Sequence, residues 1–335
     1  MKYIGLDVHS THINCAVINE RGTLIHRDCF KTSLKNLINL SENLKHPLSI
    51  VFEEGELADW LYQELLPYFD KIVVADPIEN RLIYGSDQKR DQLDPFKLAT
   101  LLRGGFIHPV HHTWDHQRSQ FKQLIFAYHD MAKQVTRIKN KIKAYYRKQG
   151  VIIQTTSVYH HTKRSLFMER CRHTEILKQY YHFLDLFQKQ KDLFERTLKH
   201  EARKYPIIDR FLKIPGVGIV TASTFFTIVD DPHRFDRKQQ LWSYAHLGKA
   251  SYQSGDKIII KKQKKGNRLL KGVIITAVNC SLRQKPNTFS KLFTHMVLIQ
   301  HKDTRIAKRI LERKLLTTMW TMWLKNQPYR PVPFP

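Results

Sequence analysis

The sequence is poor in glycine, in cysteine and in long apolar runs, and each shortage excludes something. Thirteen glycines in 335 residues are fewer than the usual ~7 %, which favours a helix-rich chain without Gly-rich phosphate loops. The four cysteines form no CxxC pair, and the apolar stretch after Lys2 is interrupted by Asp7, so we expect reduced thiols, no signal peptide and a cytoplasmic protein. No run of about 18 apolar residues occurs, so we expect no membrane-spanning helix and no membrane partner.

Acidic residues are also scarce, and the chain is therefore strongly basic. Lys and Arg number 56 against 30 Asp and Glu, which gives a formal net charge of +26. A charge of this size repels itself in a compact chain and implies a polyanionic partner. The basic residues are spread along the chain, which favours nucleic acid over an anionic membrane surface.

Four of the 18 histidines lie close together in the sequence. They have no cysteine partner and no helical metal-ligand spacing, so a solvated basic loop is a simpler interpretation than a metal site. These residues are His108, His111, His112 and His116.

Strand-like segments alternate with helical ones in the first hundred residues. Residues 2–30 alternate in polarity around the turn signal 19–22, which predicts a three-stranded antiparallel meander. A short helix, a strand over 48–52, an amphipathic helix and a strand over 72–75 follow. The alternation predicts a mixed sheet with helices packed on it, in an α+β, helix-rich chain.

The apolar period changes to three or four residues farther along the chain. Two long helices, near 117–145 and 166–200, are predicted to form an antiparallel hairpin, and their near-heptad stripe suits an intramolecular hairpin and a dimer coiled coil equally well. Helices are also predicted for most of the remainder, including a long C-terminal helix over about 304–324. With about 100–200 residues per domain, we divide the chain into 1–112, 113–204 and 205–335.

Four carboxylates are notable for their positions. Asp7 lies at the end of the first strand and Glu53, with Glu54 as the alternative, at the end of a later one. Asp91 and Asp94 are three residues apart and would share one face of a helix. Each alone is typical of a turn or a helix cap. Together with the meander they indicate a ribonuclease H-like active site, where two Mg²⁺ ions about 4 Å apart serve phosphodiester transfer. Sugar-kinase and actin-like ATPases begin similarly but need Gly-rich loops.

Two later segments have features of nucleic-acid enzymes. The run Ile-Pro-Gly-Val-Gly-Ile, which contains Gly216 and Gly218, is similar to a helix-hairpin-helix turn whose backbone N–H groups reach a DNA phosphate; an ordinary packing turn is the alternative. Ser251 and Ser254 precede a dense basic stretch, in which a serine could attack or bind a phosphate or be incidental. The candidate nucleic-acid-binding residues of that stretch are Lys257, Lys261, Lys262, Lys264, Lys265, Asn267 and Arg268.

The order of these blocks resembles the IS110 (Piv/DEDD) family of insertion-sequence transposases and DNA invertases over nearly the whole chain. An Asp on the first strand and a Glu near a Gly are followed by Lys-x-Asp-x-x-Asp-x-x-x-Leu-Ala, a helical middle, Ile-Pro-Gly-Val-Gly, and Gln-Ser-Gly before Lys-Gly-Asn-Arg-Leu-Leu. The resemblance implies a RuvC-like domain whose tetrad, Asp7, Glu53, Asp91 and Asp94, binds Mg²⁺. It also implies a transposase domain whose nucleophile best matches Ser254.

The resemblance implies more about the reaction and the assembly. The serine would join covalently to a DNA end, a structured non-coding RNA would guide the choice of donor and target DNA, and dimers joined by the coiled coil would assemble into tetramers. The chain departs from the family pattern at Arg90 and Pro95, and no Pro precedes Ser-Gly, so Ser251 stays an alternative to Ser254. A metal-dependent nuclease that uses water and a non-enzymatic nucleic-acid scaffold are the alternative functions.

Overall fold

A computed structural model of the chain describes residues 1–79, 95–248, 250–254, 257–261, 266–284 and 286–331, with 250–254 and 257–261 described by their backbone alone. The chain divides into two compact units, residues 1–119 and 120–335. None of the helices in the described ranges is long and apolar enough to cross a membrane.

Six strands of the first unit form one mixed sheet. They are β1 (Lys2–Val8), β2 (His12–Ile18), β3 (Leu24–Lys31), β4 (Leu48–Glu53), β5 (Lys71–Ala75) and β6 (Pro109–Val110). Their order is β3-β2-β1-β4-β5-β6. The strands β1, β2 and β3 are antiparallel, β4 and β5 continue the sheet in parallel, and β6 closes it antiparallel. The predicted meander and mixed sheet are confirmed.

Three helices cover the two faces of this sheet: α1 (Leu34–Glu42), α2 (Ala58–Leu65) and α3 (Pro95–Gly104). Alternate residues of β1 and β4, such as Ile4 and Phe52, are buried with α1 and α2. Val51, on the opposite face, is buried with Leu98 and Leu102 of α3. Because side chains alternate along a strand, odd-numbered residues of β1 and β4 share the face that α3 covers.

Two long helices of the predicted hairpin are present, α4 (His116–Lys148) and α6 (Glu175–Ala202). From residue 120 onward α4 belongs to the second unit, where apolar side chains such as Ile142 share a core cluster with Leu184 of α6. The prediction of one continuous second helix over 166–200 is wrong, because a separate short helix, α5 (Arg164–Met168), precedes α6.

Two hydrogen bonds account for this interruption. The Gln149 side chain donates to the carbonyl oxygen of His173 at 2.7 Å and accepts from its backbone N–H at 3.1 Å. Both backbone groups of His173 are therefore satisfied outside a helix.

The rest of the second unit packs around one buried helix. Its helices are α7 (Pro206–Phe211), α8 (Ile219–Val229), α9 (Lys238–Tyr244), α10 (Arg268–Arg283), α11 (Thr288–Thr294) and α12 (Thr304–Leu324). Every residue of α8 from Thr221 to Val229 is buried.

A two-stranded antiparallel hairpin interrupts these helices. It consists of β7 (Ala250–Ser254) and β8 (Lys257–Lys261). The basic stretch identified in the sequence therefore begins with a strand over 257–261. The three consecutive isoleucines in Lys-Ile-Ile-Ile-Lys are β-branched and favour a strand despite the flanking charges.

Candidate active site and nucleic-acid-binding segments

Asp7 and Glu53 come together at one edge of the sheet. The parallel strands β1 and β4 pair Leu6 with Phe52, so the next residue on each strand is one of the two acids. Both acids occupy odd positions and share the face that α3 covers. They line a cavity of about 380 Å³ at this edge, together with Leu98 of α3.

Hydrogen bonds hold the Asp7 carboxylate in place. His9 Nε2 lies 3.0 Å from Asp7 Oδ2, and the Asn14 side chain donates to the same oxygen at 3.4 Å. The His9 ring also stacks on His12, with 4.5 Å between ring centroids. His9 of the β1–β2 turn and Asn14 of β2 thereby orient the carboxylate, and both contacts use the same oxygen.

The surroundings of Glu53 disfavour its charge. Burial raises the pKa of the Glu53 carboxyl, and the nearby charge of Asp7 raises it further. A half-buried carboxylate whose pKa is raised by a neighbouring negative charge lies in a site that lacks a positive charge. A divalent cation would supply that charge, and carboxylate oxygens are the ligands that Mg²⁺ prefers. The chemistry of this pair therefore fits a metal.

Helix α3 packs so closely on β1 that only glycine fits beneath it. A Cβ atom built on Gly5 would lie 2.0 Å from the Pro95 carbonyl oxygen and 2.8 Å from the Ala99 nitrogen. The first turn of α3 therefore lies over β1 two residues before Asp7. Asp94 is bonded directly to Pro95, but Asp91 and Asp94 lie outside the described residues.

No complete metal site is formed by the residues that the structure describes. Within those ranges, no group of three or more His, Cys, Asp or Glu side chains is arranged to hold a metal ion. The structure thus brings together Asp7 and Glu53, the two members of the predicted tetrad that it describes.

One residue of the histidine-rich segment has a role that the sequence did not reveal. The side chain of His112 is only 2 % exposed, so the expectation of a solvated loop is wrong for this residue. Its Nδ1 lies 2.6 Å from Asp59 Oδ1 and its Nε2 lies 2.6 Å from Glu54 Oε2. Glu54, the residue that directly follows Glu53, thus pairs with His112. The other three histidines, His108, His111 and His116, are exposed.

The two carboxylates keep His112 protonated. Burial by itself lowers the pKa of the imidazole, but hydrogen bonds with Asp59 and Glu54 outweigh burial and raise the pKa to about 9. The imidazolium therefore links the segment after β6 to α2 and to the end of β4. The partners are more than fifty residues apart in sequence, so no local pattern could have identified them.

The candidate nucleophile lies in the second unit. Ser254 is the last residue of β7 and pairs with Lys257, the first residue of β8. Ser251 pairs with Ile260 farther from the turn. Lys261 ends β8, whereas Lys262, Lys264 and Lys265 lie outside the described residues.

The glycine-rich turn joins α7 to α8, and its two glycines differ. Gly216 adopts φ +83°, and a Cβ there would lie 2.3 Å from the Ala277 carbonyl oxygen of α10. Its N–H donates to the Gln284 side chain at 3.1 Å, so Gly216 has a packing role in this structure. Gly218 is exposed at the N-cap of α8, which has no side-chain cap. Its surroundings suit the predicted contact with a phosphate.

Two polar residues of the basic stretch flank the start of α10. The Asn267 side chain caps this helix by accepting from the Leu270 N–H at 2.9 Å. The neighbouring Arg268 is exposed. Asn267 therefore has a structural role here, while Arg268 is available to a partner.

Comparisons with known proteins place both units in one group of transposases. A family model described as "Transposase", for the DEDD transposases of IS110 type, matches residues 4–148. A second, described as "Transposase IS116/IS110/IS902 family", matches residues 208–294. The chain belongs to the IS110 family of transposases.

A relative supports this assignment. The "Transposase for insertion sequence element IS1111A" of Coxiella burnetii (strain RSA 493 / Nine Mile phase I) is 30 % identical over 139 residues, which cover 41 % of this chain and 38 % of the relative. The resemblance inferred from the sequence is thus confirmed at the level of the family. In this IS110-family chain, the four candidate acids fall within the first matched segment and Ser254 within the second.

Proposed function

We propose that this chain is the DNA transposase, or site-specific recombinase, of a bacterial insertion sequence, which cleaves and rejoins DNA strands. The observation that supports this most is the pair Asp7–Glu53, held on adjacent parallel strands with the pKa of Glu53 raised by burial and by its neighbour. The family models and the net charge of +26 point the same way.

In this proposal Asp7, Glu53, Asp91 and Asp94 are the ligands of Mg²⁺, with two ions in the site. When bound, the ions neutralise the carboxylates and polarise the phosphate to be attacked. The chain supplies the rigid geometry: β1 and β4 fix the first two acids, and His9 and Asn14 hold one oxygen of Asp7.

Ser254 is proposed to be the nucleophile, with Ser251 as the alternative. Its Oγ attacks the phosphorus of a DNA phosphodiester. The Oγ–P bond forms as one P–O bond of the backbone breaks, and the released DNA hydroxyl takes up the proton that the serine loses. Reversal of this step with the hydroxyl of another strand rejoins the DNA.

The remaining parts of the chain are assigned by the same proposal. Residues 1–112 form a RuvC-like catalytic domain, 113–204 a coiled-coil hairpin that joins protomers into dimers and tetramers, and 205–335 a transposase domain with a helix-hairpin-helix. A structured non-coding RNA pairs with donor and target DNA. An exposed Gly218 at the start of α8 supports a phosphate contact by the helix-hairpin-helix.

A search for the serine–DNA adduct tests this mechanism. The chain is expressed with a plasmid that carries its gene and the flanking DNA, and the reaction is stopped in denaturing detergent with Mg²⁺ present. After nuclease and protease digestion, mass spectrometry should find a nucleotide on the peptide that contains Ser254. The Ser254→Ala variant should form no adduct, and Asp7→Asn should form neither adduct nor recombinant DNA.

Ser251→Ala is the matched control, because it removes a hydroxyl from the same strand and should keep the adduct. Adducts that persist in Ser254→Ala and disappear in Ser251→Ala would transfer the role to Ser251. Cleaved DNA with free 3′-hydroxyl ends and no adduct in any variant would contradict the proposal and favour a nuclease that uses water.

A further inference from the structure

A broad groove lies between two helices of the second unit. It has a volume of about 1070 Å³, with the second half of α4 on one side and the first half of α10 on the other. Five cationic side chains line it: Lys133, Arg137, Lys141, Arg147 and Arg268. No carboxylate is among the lining residues, so the groove is positive along its length.

The cations of α4 form a line rather than a cluster. Lys133, Arg137 and Lys141 recur every four residues and therefore follow one ridge of the helix. With a rise of 1.5 Å per residue, the stretch from Lys133 to Arg147 extends over about 21 Å. All four α4 cations are exposed, and no ion pair formed within the described ranges uses them. A line of charge this long matches a polymer of anions better than a single small anion.

Between the cations, the groove is lined mainly by short side chains, which form its floor, together with His129, Leu269 and Val273. The ridge beside the cations carries Ala132, Thr136, Asn140 and Ala144, and α10 contributes Gly272 and Thr276. Small residues at these positions leave space for another chain to lie between the helices. The cations at the rim can then reach anionic groups on either side of it.

Gly272 supplies an independent indication that a ligand approaches. A glycine inside a helix costs about 1 kcal/mol relative to alanine, and packing within the protein often explains such a residue. A Cβ on Gly272 would meet nothing within 4 Å, so packing among the described residues does not account for it. Close approach by a bound chain would account for a glycine at this position.

We infer that the groove between α4 and α10 binds the phosphodiester backbone of a nucleic acid, independently of base sequence. The lysines and arginines contact successive phosphates, and the floor accommodates the sugar-phosphate chain. The choice of nucleic acid as the polyanion rests on the proposed function, whereas the groove and its positive charge are observed independently of it. The chemistry is common to DNA and RNA, and the experiment has one arm for each.

Charge reversal inside and outside the groove tests the inference. The Lys133→Glu/Arg137→Glu variant is compared with Lys189→Glu/Arg196→Glu, which makes the same charge change at exposed positions of α6. Fluorescence anisotropy measures binding of the full-length variants to a short labelled DNA duplex of arbitrary sequence and to an RNA hairpin of similar length. EDTA is present, so that no cleavage contributes.

The groove variant should bind at least one probe about tenfold more weakly than the α6 control. Its slope of log K against log salt should be shallower by about 2, because each phosphate contact contributes about 0.9. The probe that the groove variant binds more weakly than the α6 control does identifies the kind of nucleic acid that the groove binds. Equal affinities and slopes for the two variants with both probes would overturn the inference.

A neutral substitution distinguishes the effect of the groove's shape on binding from the effect of net charge. Gly272→Leu fills the floor without changing charge, and the open space at this position predicts a normally folded protein. It should weaken binding to the same probe, with circular dichroism and the thermal midpoint as checks on folding. Unweakened binding would contradict the inference. Because this assay needs no catalysis, the hypothesis of nucleic-acid binding in the groove and the proposed strand transfer can fail independently of each other.

Discussion

The Glu53 carboxyl group is half-buried beside Asp7, and its pKa is raised, first by burial and then by the Asp7 charge. A carboxyl with a raised folded-state pKa lowers stability once pH exceeds its unfolded-state value of about 4.3, because its ionised form is disfavoured in the fold. Catalytic groups are commonly placed in such surroundings. The same charges that would attract a metal thus destabilise the metal-free protein.

Glu53→Gln should therefore raise the free energy of unfolding at pH 7, although it should abolish recombination. The gain should shrink as pH falls and disappear near pH 4, where glutamic acid is protonated in both states. Urea unfolding across this pH range, without divalent cations, measures it. Glu56→Gln, at an exposed position of the same cavity, is the control and should change little. A less stable Glu53→Gln protein at pH 7 would contradict the argument.

Gly5 determines how closely α3 approaches the sheet. Gly5→Ala would place a Cβ 2.0 Å from a backbone carbonyl oxygen that a side-chain rotation cannot move. We expect a loss of about 1–3 kcal/mol of stability from this overpacking, with lower recombination activity. Gly272→Ala, in open space within a helix, should instead be neutral or stabilising by up to about 1 kcal/mol. Equal urea midpoints for the two variants would disprove the role of Gly5.

Contacts between elements depend on a few buried charges, and His112 is the clearest in the first unit. Its pKa is raised to about 9 by the hydrogen bonds with Asp59 and Glu54, against the effect of burial. A raised histidine pKa stabilises the fold fully below the unfolded value near 6.5, and that stability is lost as pH rises toward 9. The attachment of the segment after β6 to α2 should therefore weaken in alkaline solution.

His112→Gln should remove most of this pH dependence. We expect the free energy of unfolding of the wild-type protein to fall by about 2 kcal/mol between pH 6.5 and 9, a figure reduced by the partial exposure of the two carboxylates. The variant should be less stable at pH 6.5, and its free energy of unfolding should stay nearly constant over this pH range. Thermal unfolding at several pH values measures this. His116→Gln, at an exposed position, is the control. A variant as stable as the wild type at pH 6.5 would exclude the link.

In the second unit a buried arginine ties the segment before α6 to that helix. Arg164 donates to both oxygens of Asp185 at 2.6 Å and its guanidinium lies 4.6 Å from the centre of the Tyr181 ring. Arg164 also donates to the Tyr159 carbonyl oxygen at 3.1 Å. The arginine hydrogen bond lowers the pKa of Asp185. The tie should therefore be complete above about pH 4 and be lost as pH falls below it.

Arg164→Lys keeps the charge but loses the two-oxygen contact and the stacked geometry. We expect about 1–2 kcal/mol of destabilisation and faster hydrogen exchange in residues 157–168, measured by mass spectrometry. Lys178→Ala breaks an exposed ion pair with Glu175 and should cost at most about 0.5 kcal/mol. Exchange that stays slow in Arg164→Lys would show that the ion pair does not order the segment.

The charge of the entire molecule makes its stability depend on salt. With 56 basic and 30 acidic residues, like charges repel one another in the folded state, and dissolved ions screen that repulsion. We expect the thermal midpoint to rise from low to moderate sodium chloride concentration in the absence of nucleic acid. A short DNA duplex should produce a similar rise at low salt, and the rise should vanish at high salt. A midpoint that falls with added salt would contradict this view.

Much of the fold and part of the site could be predicted. The C-terminal helix was expected over residues 304–324, the range that α12 occupies, because its apolar spacing and its Asp303 cap are local signals. Asp7 and Glu53 were predicted to share a site because each ends a strand and the meander indicated a ribonuclease H-like arrangement, and the parallel pairing of β1 with β4 brings these strand ends together. The β7–β8 hairpin was missed because the surrounding charges hid the strand propensity of its three isoleucines. The break before α6 was missed because it depends on the Gln149 side chain, which is distant in sequence.

The elements, the positive charge and the family motif are properties of neighbouring residues, and they can be read without knowing how the chain folds. The His112 pairings, the need for glycine beneath α3 and the groove between α4 and α10 join residues that are dozens of positions apart. Such contacts depend on how the elements pack and on which charges become buried together. The structure alone therefore shows why the pKa of Glu53 is raised, which residue pairs with its neighbour Glu54, and which groove can accommodate a long anionic chain.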